Sequence, residues 1–88
     1  MGHRIELGEI ESAAMALSNV KNACCLFEKD SQKIILVIES DDATEEDILE
    51  KLKKRLQRYM LPNKLVLFDK IPLTQSGKVD RVKVKDML

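Results

Sequence analysis

The sequence is poor in the residues from which many catalytic and metal-binding sites are built. Its 88 residues include one histidine, two cysteines, one tyrosine and no tryptophan. His3 is the single histidine, and it lies beside the N-terminus. A Ser-His-Asp catalytic triad or a histidine-based metal site therefore has one candidate histidine and no partner residues for it. The adjacent Cys24 and Cys25 are too few for a disulfide framework and lack a C-x-x-C spacing. No apolar run approaches the ~20 residues of a transmembrane helix, so we predict neither a metal site nor a membrane partner.

Net charge is absent as well. The 15 basic and 15 acidic residues balance to a formal charge of zero, which argues against nucleic acid or an anionic membrane bound by bulk electrostatics. Charged residues make up 34% of the chain and hydrophobic residues 44%, a composition typical of a globular domain. Two cysteines without a disulfide framework, together with the lack of an apolar signal segment, favour a reducing, cytoplasmic setting.

Apolar periodicity predicts the elements of the first half of the chain. Residues 4–7 alternate polar and apolar side chains, as in a half-buried strand. The spacing that follows is that of a short helix, with one face formed by Ile10, Ala13, Ala14 and Leu17. Residues 20–27 and 34–38 are strongly apolar runs, which predict an antiparallel pair of strands buried on both faces. Cys24 and Cys25 then point to opposite faces of the sheet.

The clearest helix begins after Thr44, which with Asp47 resembles a capping box. Its core-facing stripe consists of Ile48, Leu49, Leu52, Leu56 and Tyr59. We expect this helix to end before Pro62 and to be followed by a strand over residues 65–68, a loop over 69–80 and one or two closing helical turns. The order β-α-β-β-α-β-loop-α predicts a single α+β domain over residues 1–88, a small sheet of about three strands flanked by two to three helices.

Gly77 and Lys78 lie in the predicted loop and invite comparison with a phosphate-binding P-loop. That motif needs a glycine and a serine or threonine at the positions where this sequence has Pro72 and Val79, so it is not a P-loop. Two interpretations remain: a lysine beside a glycine that lets the backbone approach a ligand, or a solvated surface lysine. A separate basic run favours a solvated helix face or a surface for an acidic partner and consists of Lys51, Lys53, Lys54, Arg55 and Arg58.

Three segments together carry a family resemblance. They are GHRIELGEIES over residues 2–12, YMLP over 59–62 and PLTQSGKVDR over 72–81. In order and spacing they resemble the last three motifs of the adenylate-forming ligases, and the resemblance covers essentially the whole chain. More narrowly, the sequence is similar to the C-terminal lid subdomain of amino-acid adenylation enzymes, namely peptide-synthetase adenylation domains and D-alanine–carrier protein ligases. Two residues depart from the family pattern: Gln57 replaces a proline, so the helix is expected to run on, and Ser76 replaces an asparagine.

The resemblance implies a two-step reaction. A carboxylate attacks the α-phosphate of Mg²⁺-ATP to give an acyl-adenylate and pyrophosphate, and a phosphopantetheine thiol on a carrier protein then takes the acyl group as a thioester. Lys78 matches the lysine that the family brings to the first step, and Gly77, Asp80 and Arg81 form the rest of its ATP-proximal loop. The segment with Gly2, Arg4 and Glu6 matches the part that faces the active site in the thioester-forming conformation.

The resemblance also implies that this chain acts together with other domains. We expect the hinge and the large N-terminal adenylation domain to be absent from it, and we therefore expect no turnover and no bound cofactor for the 88 residues alone. Two alternatives remain open: a stand-alone module that binds carrier protein without catalysis, and the lid of an acyl-CoA synthetase. Residues 85–88 resemble a natural terminus, which slightly favours a stand-alone ligase over a synthetase module, with D-alanine as a possible substrate.

Overall fold

A computed structural model describes residues 6–88 of the chain. Its elements are α1 (Leu7–Met15), β1 (Asn22–Glu28), β2 (Lys33–Glu39), α2 (Glu45–Lys53), a short 3-10 helix (Arg58–Met60), β3 (Lys64–Phe68) and α3 (Arg81–Asp86). The predicted α+β class, the three-stranded sheet and the three flanking helices are confirmed in this structure.

The three strands form a mixed sheet in the order β1-β2-β3. The predicted antiparallel pair is confirmed, with Cys25 opposite Leu36, while β2 and β3 run parallel with Ile38 opposite Leu67. Because β2 lies in the centre, β1 and β3 are the edge strands, and the outer edge of β1 has no strand partner within residues 6–88. An edge strand exposes backbone N–H and C=O groups that must find other partners.

Side chains alternate between the two faces of the sheet, and each face carries its own apolar cluster. On the first face, α1 and α2 pack through Ile10, Ala14, Ile48 and Leu52 against Cys25, Leu36 and Ile38. On the second face, Ile71 and Val84 of the C-terminal segment pack against Cys24 and Val37. The prediction that the two cysteines point to opposite faces is therefore confirmed.

Both cysteines are free thiols buried in these clusters. Burial raises the pKa of the Cys25 thiol to about 12 and raises that of Cys24 as well. Since the thiolate is the reactive form, we expect iodoacetamide to label the native chain on the order of a hundredfold more slowly than the same chain in urea. Mass spectrometry of timed samples at neutral pH measures both rates, and native labelling as fast as in urea would show that the thiols are accessible.

Two features of the sequence-based prediction were wrong. Leu7, expected in a strand, lies in the first turn of α1, and Ile5 is outside the described residues. Helix α2 ends at Lys53 instead of reaching Pro62, and Gln57 is extended, with φ −69° and ψ 153°. The chain must leave the helix here because the N–H and side-chain oxygen of Asn63 bond the backbone of Ile34, at 2.8 and 2.7 Å.

The early end of α2 changes which side chains fill the core. Met60, in the 3-10 helix, is only 4% exposed, whereas Tyr59, predicted in the core stripe, is 36% exposed. The start of α2 agrees with prediction, because Thr44 Oγ1 accepts a hydrogen bond from the Asp47 N–H at 3.1 Å, as an N-cap does. Over residues 6–88, none of the helices is both long enough and apolar enough to span a bilayer.

Candidate functional site

The predicted loop around Lys78 is a hairpin held by backbone hydrogen bonds. Leu73 and Val79 form an antiparallel bridge, and the Asp80 N–H donates to the Pro72 carbonyl at 2.9 Å. Nearer the tip, the Thr74 N–H donates to the Lys78 carbonyl at 2.7 Å. The hairpin follows Ile71, which is 2% exposed and whose N–H donates to Glu39 Oε1 at 2.9 Å. The base of the hairpin is therefore fixed to the sheet.

The tip of the hairpin requires a glycine for conformational reasons. The Gly77 N–H donates to the Thr74 carbonyl at 3.0 Å, which closes a four-residue turn, and Gly77 has φ +87°. A type I turn followed by a left-handed residue is a common way to close a short hairpin. A Cβ built on Gly77 would meet nothing within 4 Å, so backbone conformation and not lack of space selects glycine here.

We expect Gly77→Ala to lower the free energy of unfolding by about 1–2 kcal/mol, because a Cβ disfavours a left-handed backbone. Gly77→Asn should cost less, since asparagine tolerates positive φ better than alanine does. Urea titrations of the three chains measure both differences. Equal stability of the alanine and asparagine variants would argue against a conformational role for the glycine.

Lys78 follows the tip and is exposed. Its backbone N–H donates to Thr74 Oγ1 at 3.3 Å, which fixes the start of the side chain without engaging its end. Within residues 6–88, no carboxylate lies within ion-pair distance of its ammonium. The side chain is therefore free to project from the hairpin, as a mobile cation on a flexible stem.

Asp80 and Arg81 lie at the base of the hairpin and face the domain. Asp80 is the N-cap of α3, with its Oδ1 accepting from the Lys83 N–H at 3.1 Å. Arg81 forms an ion pair with Glu11 of α1, Nη1 to Oε2 at 2.7 Å. These two residues thus shape and anchor the loop, while Gly77 and Lys78 occupy its tip. Glu11 was not singled out by the sequence analysis, although it lies within the first resemblance segment, because nothing in the sequence connects it to residue 81.

The predicted thioester-conformation segment is described only in part. Gly2 and Arg4 lie outside the described residues. Glu6 precedes α1 in an extended conformation and its carbonyl accepts from the N–H groups of Glu9 and Ile10, at 3.0 and 3.3 Å. Its side chain is exposed. The proposed roles of these three residues stay predictions.

Two surface grooves accompany these features, and Lys78 lines neither of them. One, of about 570 Å³, lies between the ends of α1 and α2 and is lined by Ala16, Leu17, Ser18, Lys51, Lys54 and Arg55. The other, of about 350 Å³, lies at the hairpin base and includes Pro72, Leu73 and Met87. No group of three or more metal-ligating side chains comes together in the described chain. The lysine thus projects from the hairpin and contributes to neither of these two grooves.

This architecture is that of the C-terminal subdomain of adenylate-forming enzymes. Two solved structures illustrate the likeness of fold, at 24% and 22% sequence identity: a fatty acyl CoA synthetase of Mycobacterium tuberculosis and ATP-bound MatB of Rhodopseudomonas palustris. Each superposes with a TM-score of 0.81 over 98% of this chain and 18% of the other chain.

Sequence comparison gives the family directly. The family described as AMP-binding enzyme C-terminal domain matches residues 9–78, and the chain belongs to it. The chain is 39% identical to both bacitracin synthase 3 of Bacillus licheniformis and zwittermicin A synthase ZmaJ of Bacillus cereus, over 84 aligned residues and 91% of this chain. It spans only 1% and 16% of the length of these relatives. The resemblance to the adenylate-forming ligases is therefore confirmed.

Proposed function

We propose that this chain is the mobile lid of an ATP-dependent ligase that joins an amino acid to a carrier protein. The observation that carries the proposal is the position of Lys78, an exposed cation with no ion-pair partner among residues 6–88, at the tip of a hairpin with an anchored base. An exposed lysine with no ion-pair partner in the described part of the chain suits a group that enters a pocket supplied by another domain. The large N-terminal adenylation domain would supply that pocket.

In the first step, the lid would bring Lys78 to the reacting atoms. An amino-acid carboxylate oxygen attacks the α-phosphorus of ATP, the bond to the bridging oxygen breaks and pyrophosphate leaves. Both reactants are anionic, so a cation placed between them stabilises the charge that gathers in the transition state. The Mg²⁺ that accompanies ATP would be held by the nucleotide phosphates and the adenylation domain.

In the second step, the lid would rotate as a rigid body and present its other face. The phosphopantetheine thiol of a carrier protein attacks the acyl carbonyl, AMP leaves and a thioester forms. Gly2, Arg4 and Glu6 would lie beside the thiol in this conformation, with Gly2 permitting close approach of the arm. Withdrawal of Lys78 between the steps is compatible with its lack of an ion-pair partner in the described chain.

The names of the relatives bear on which acid is activated. Two relatives at 36% identity are named as nonribosomal peptide synthetases, which favours an amino acid over a fatty acid. Among amino acids, D-alanine is suggested by the resemblance to stand-alone carrier protein ligases, and a panel of amino acids in the exchange assay below tests it. We place the reaction in the cytoplasm, where ATP is available and the two free thiols stay reduced.

The experiment that tests the function measures each half-reaction with and without this lid. We expect the adenylation domain of the same protein to catalyse amino-acid-dependent pyrophosphate exchange when joined to residues 1–88 and to lose most of that activity without them. Exchange that is independent of the lid would contradict the proposal. Exchange with the lid, followed by transfer to coenzyme A and not to a carrier protein, would instead favour the acyl-CoA synthetase alternative.

The 88-residue chain alone should neither hydrolyse ATP nor bind it more tightly than about 1 mM, because its exposed lysine lines neither of the two grooves described above. Isothermal titration with Mg²⁺-ATP measures the affinity, with AMP as the control ligand. Saturable binding in the micromolar range would contradict this expectation.

A second candidate function is a stand-alone module for binding carrier protein. It is favoured by the exposed basic residues at the end of α2 and in the segment after it, which are Lys53, Lys54, Arg55 and Arg58. Since exposed charges mostly set the association rate and its salt dependence, this alternative predicts salt-sensitive capture of an acidic carrier by the 88-residue chain alone. Capture without any effect of the chain on adenylation would favour the module over the lid.

A further inference from the structure

Glu11 and Arg81 form a bidentate ion pair between elements that are far apart in the sequence. Nη1 of Arg81 lies 2.7 Å from Oε2 of Glu11, and Nη2 donates to Oε1 at 2.9 Å, across 70 residues of chain. Two parallel N–H···O bonds of this kind fix orientation as well as distance, which a single ammonium does not do. Glu11 also raises the pKa of the Arg81 guanidinium.

The ion pair lies at Cys25, on the outer edge of β1, which no other strand of residues 6–88 pairs with. The Cys25 N–H donates to Glu11 Oε2 at 2.7 Å, and its carbonyl accepts from Arg81 Nη1 at 3.3 Å. These are the backbone groups that an edge strand turns away from its neighbour. Glu11 and Arg81 together therefore satisfy the backbone N–H and C=O of Cys25, much as a neighbouring strand would.

The same contact joins the two faces of the sheet. Glu11 belongs to α1, which packs on the first face through Ile10 and Ala14. Arg81 begins α3, which packs on the second face through Val84. The pair thus closes around the edge of the sheet, and we call Glu11, Arg81 and the backbone of Cys25 the edge clasp.

The edge clasp also lies next to the lysine hairpin. Arg81 directly follows Asp80, whose N–H closes the base of the hairpin on the Pro72 carbonyl at 2.9 Å. Helix α3 has six residues, of which Val84 alone is buried, so it has little packing of its own to fix its position. The bidentate contact therefore ties the hairpin to α1, in addition to the Ile71 N–H bond that ties its base to the sheet.

We propose that Glu11 and Arg81 are positioning residues for Lys78, acting through the edge clasp. This inference rests on the proposed function, because it assumes that the lysine must reach a point in another domain. A displacement of about 1 Å at a reacting group can cost on the order of a hundredfold in rate. The clasp would also make the lysine hairpin and the α1 segment one rigid body, so that both faces move together when the lid rotates.

The central experiment is a double-mutant cycle in the enzyme that contains the adenylation domain. We expect Arg81→Ala to lower kcat for pyrophosphate exchange by about 10- to 100-fold while KM for ATP changes less than about threefold, since the lysine is misplaced and not lost. In a Lys78→Ala background the same substitution should change the residual rate by less than about twofold.

Three further variants separate positioning from stability. Arg81→Lys keeps the positive charge but cannot form the bidentate contact of a guanidinium. Its exchange rate should lie between those of Arg81→Ala and the wild type. Glu11→Gln keeps an oxygen for the Cys25 N–H and should lie between wild type and Glu11→Ala. Lys21→Ala is the matched control, because it removes an exposed ion pair with Asp41 that has no contact with the hairpin. It should leave exchange unchanged.

A measurement on the 88-residue chain tests the clasp without any activity. Amide hydrogen exchange in Arg81→Ala should become faster at the Thr74, Gly77 and Asp80 amides, which close the hairpin, while the central-strand amide of Val37 stays protected. Unchanged exchange at the hairpin would overturn the inference, and so would equal acceleration throughout the chain.

The failures of the two proposals are distinguishable. If Lys78→Ala lowers adenylation strongly and Arg81→Ala does not, or if their losses multiply independently, the positioning role is wrong and the lid function stands. If Lys78→Ala leaves adenylation unchanged, the proposed function is wrong and the positioning role falls with it.

Discussion

Lys78→Ala should lower the rate of acyl-adenylate formation by about a thousandfold in the enzyme that contains the adenylation domain. A cation about 4 Å from an anionic centre, at an effective dielectric constant near 20, contributes roughly 4 kcal/mol, which corresponds to that factor in rate. An exposed surface charge with no reacting partner contributes about 1 kcal/mol at most. Pyrophosphate exchange at saturating ATP and amino acid measures the loss.

Thioester formation from a pre-made adenylate should change less than about threefold in the same variant, because Lys78 would have left the active site before that step. Single-turnover transfer to the carrier protein measures it. Lys29→Ala, which removes an exposed lysine of the turn between β1 and β2, is the matched control and should leave both steps unchanged. Equal losses in the two half-reactions would contradict the assignment of Lys78 to the first.

Leu52→Ala should lower the free energy of unfolding by about 3 kcal/mol. Leu52 is fully buried between α2 and the sheet, in the cluster with Ile10, Leu36 and Ile38. The substitution removes apolar contacts and leaves a cavity, and such changes cost roughly 2–5 kcal/mol. Alanine is a good helix former, so the loss reports packing and not helix propensity.

Urea unfolding followed by circular dichroism measures this loss as a lower midpoint with an unchanged slope. Val82→Ala is the control, since Val82 is 73% exposed in α3 and its truncation should cost less than about 0.5 kcal/mol. A loss below about 1 kcal/mol in Leu52→Ala would mean that the helices do not pack on the sheet as described. The small size of the domain makes each core residue a large fraction of total stability.

The features predicted well are those that depend on neighbours in the sequence. The apolar run that became β2, the alternation of Cys24 and Cys25, and the Thr44 cap follow from strand period and helix-end chemistry, which a few residues specify. The lysine loop was located by the same kind of local pattern. Its closure as a hairpin was not, because the bridge between Leu73 and Val79 depends on how the chain returns to the sheet.

The features predicted wrongly are those in which tertiary contacts override local preference. Residues 54–59 have helix-forming side chains, and no proline interrupts them before Pro62. The helix nevertheless ends at Lys53, because Met60 fills the core and Asn63 must reach Ile34. Propensity differences of a few tenths of a kcal/mol per residue are smaller than the energy of one buried side chain.

By itself the sequence determined the fold class, the faces of the strands and the presence of a glycine-lysine loop in an adenylate-forming family, because each of these is encoded in short-range pattern or in ordered motifs. The tertiary structure alone decided that Glu11 and Arg81 meet at Cys25, 70 residues apart along the chain. The pattern of residue types along the chain does not indicate a contact between residues so far apart in the sequence. The two charges become partners there because β1 is an edge strand of the sheet in residues 6–88, and the first turn of α3 meets α1 at that edge.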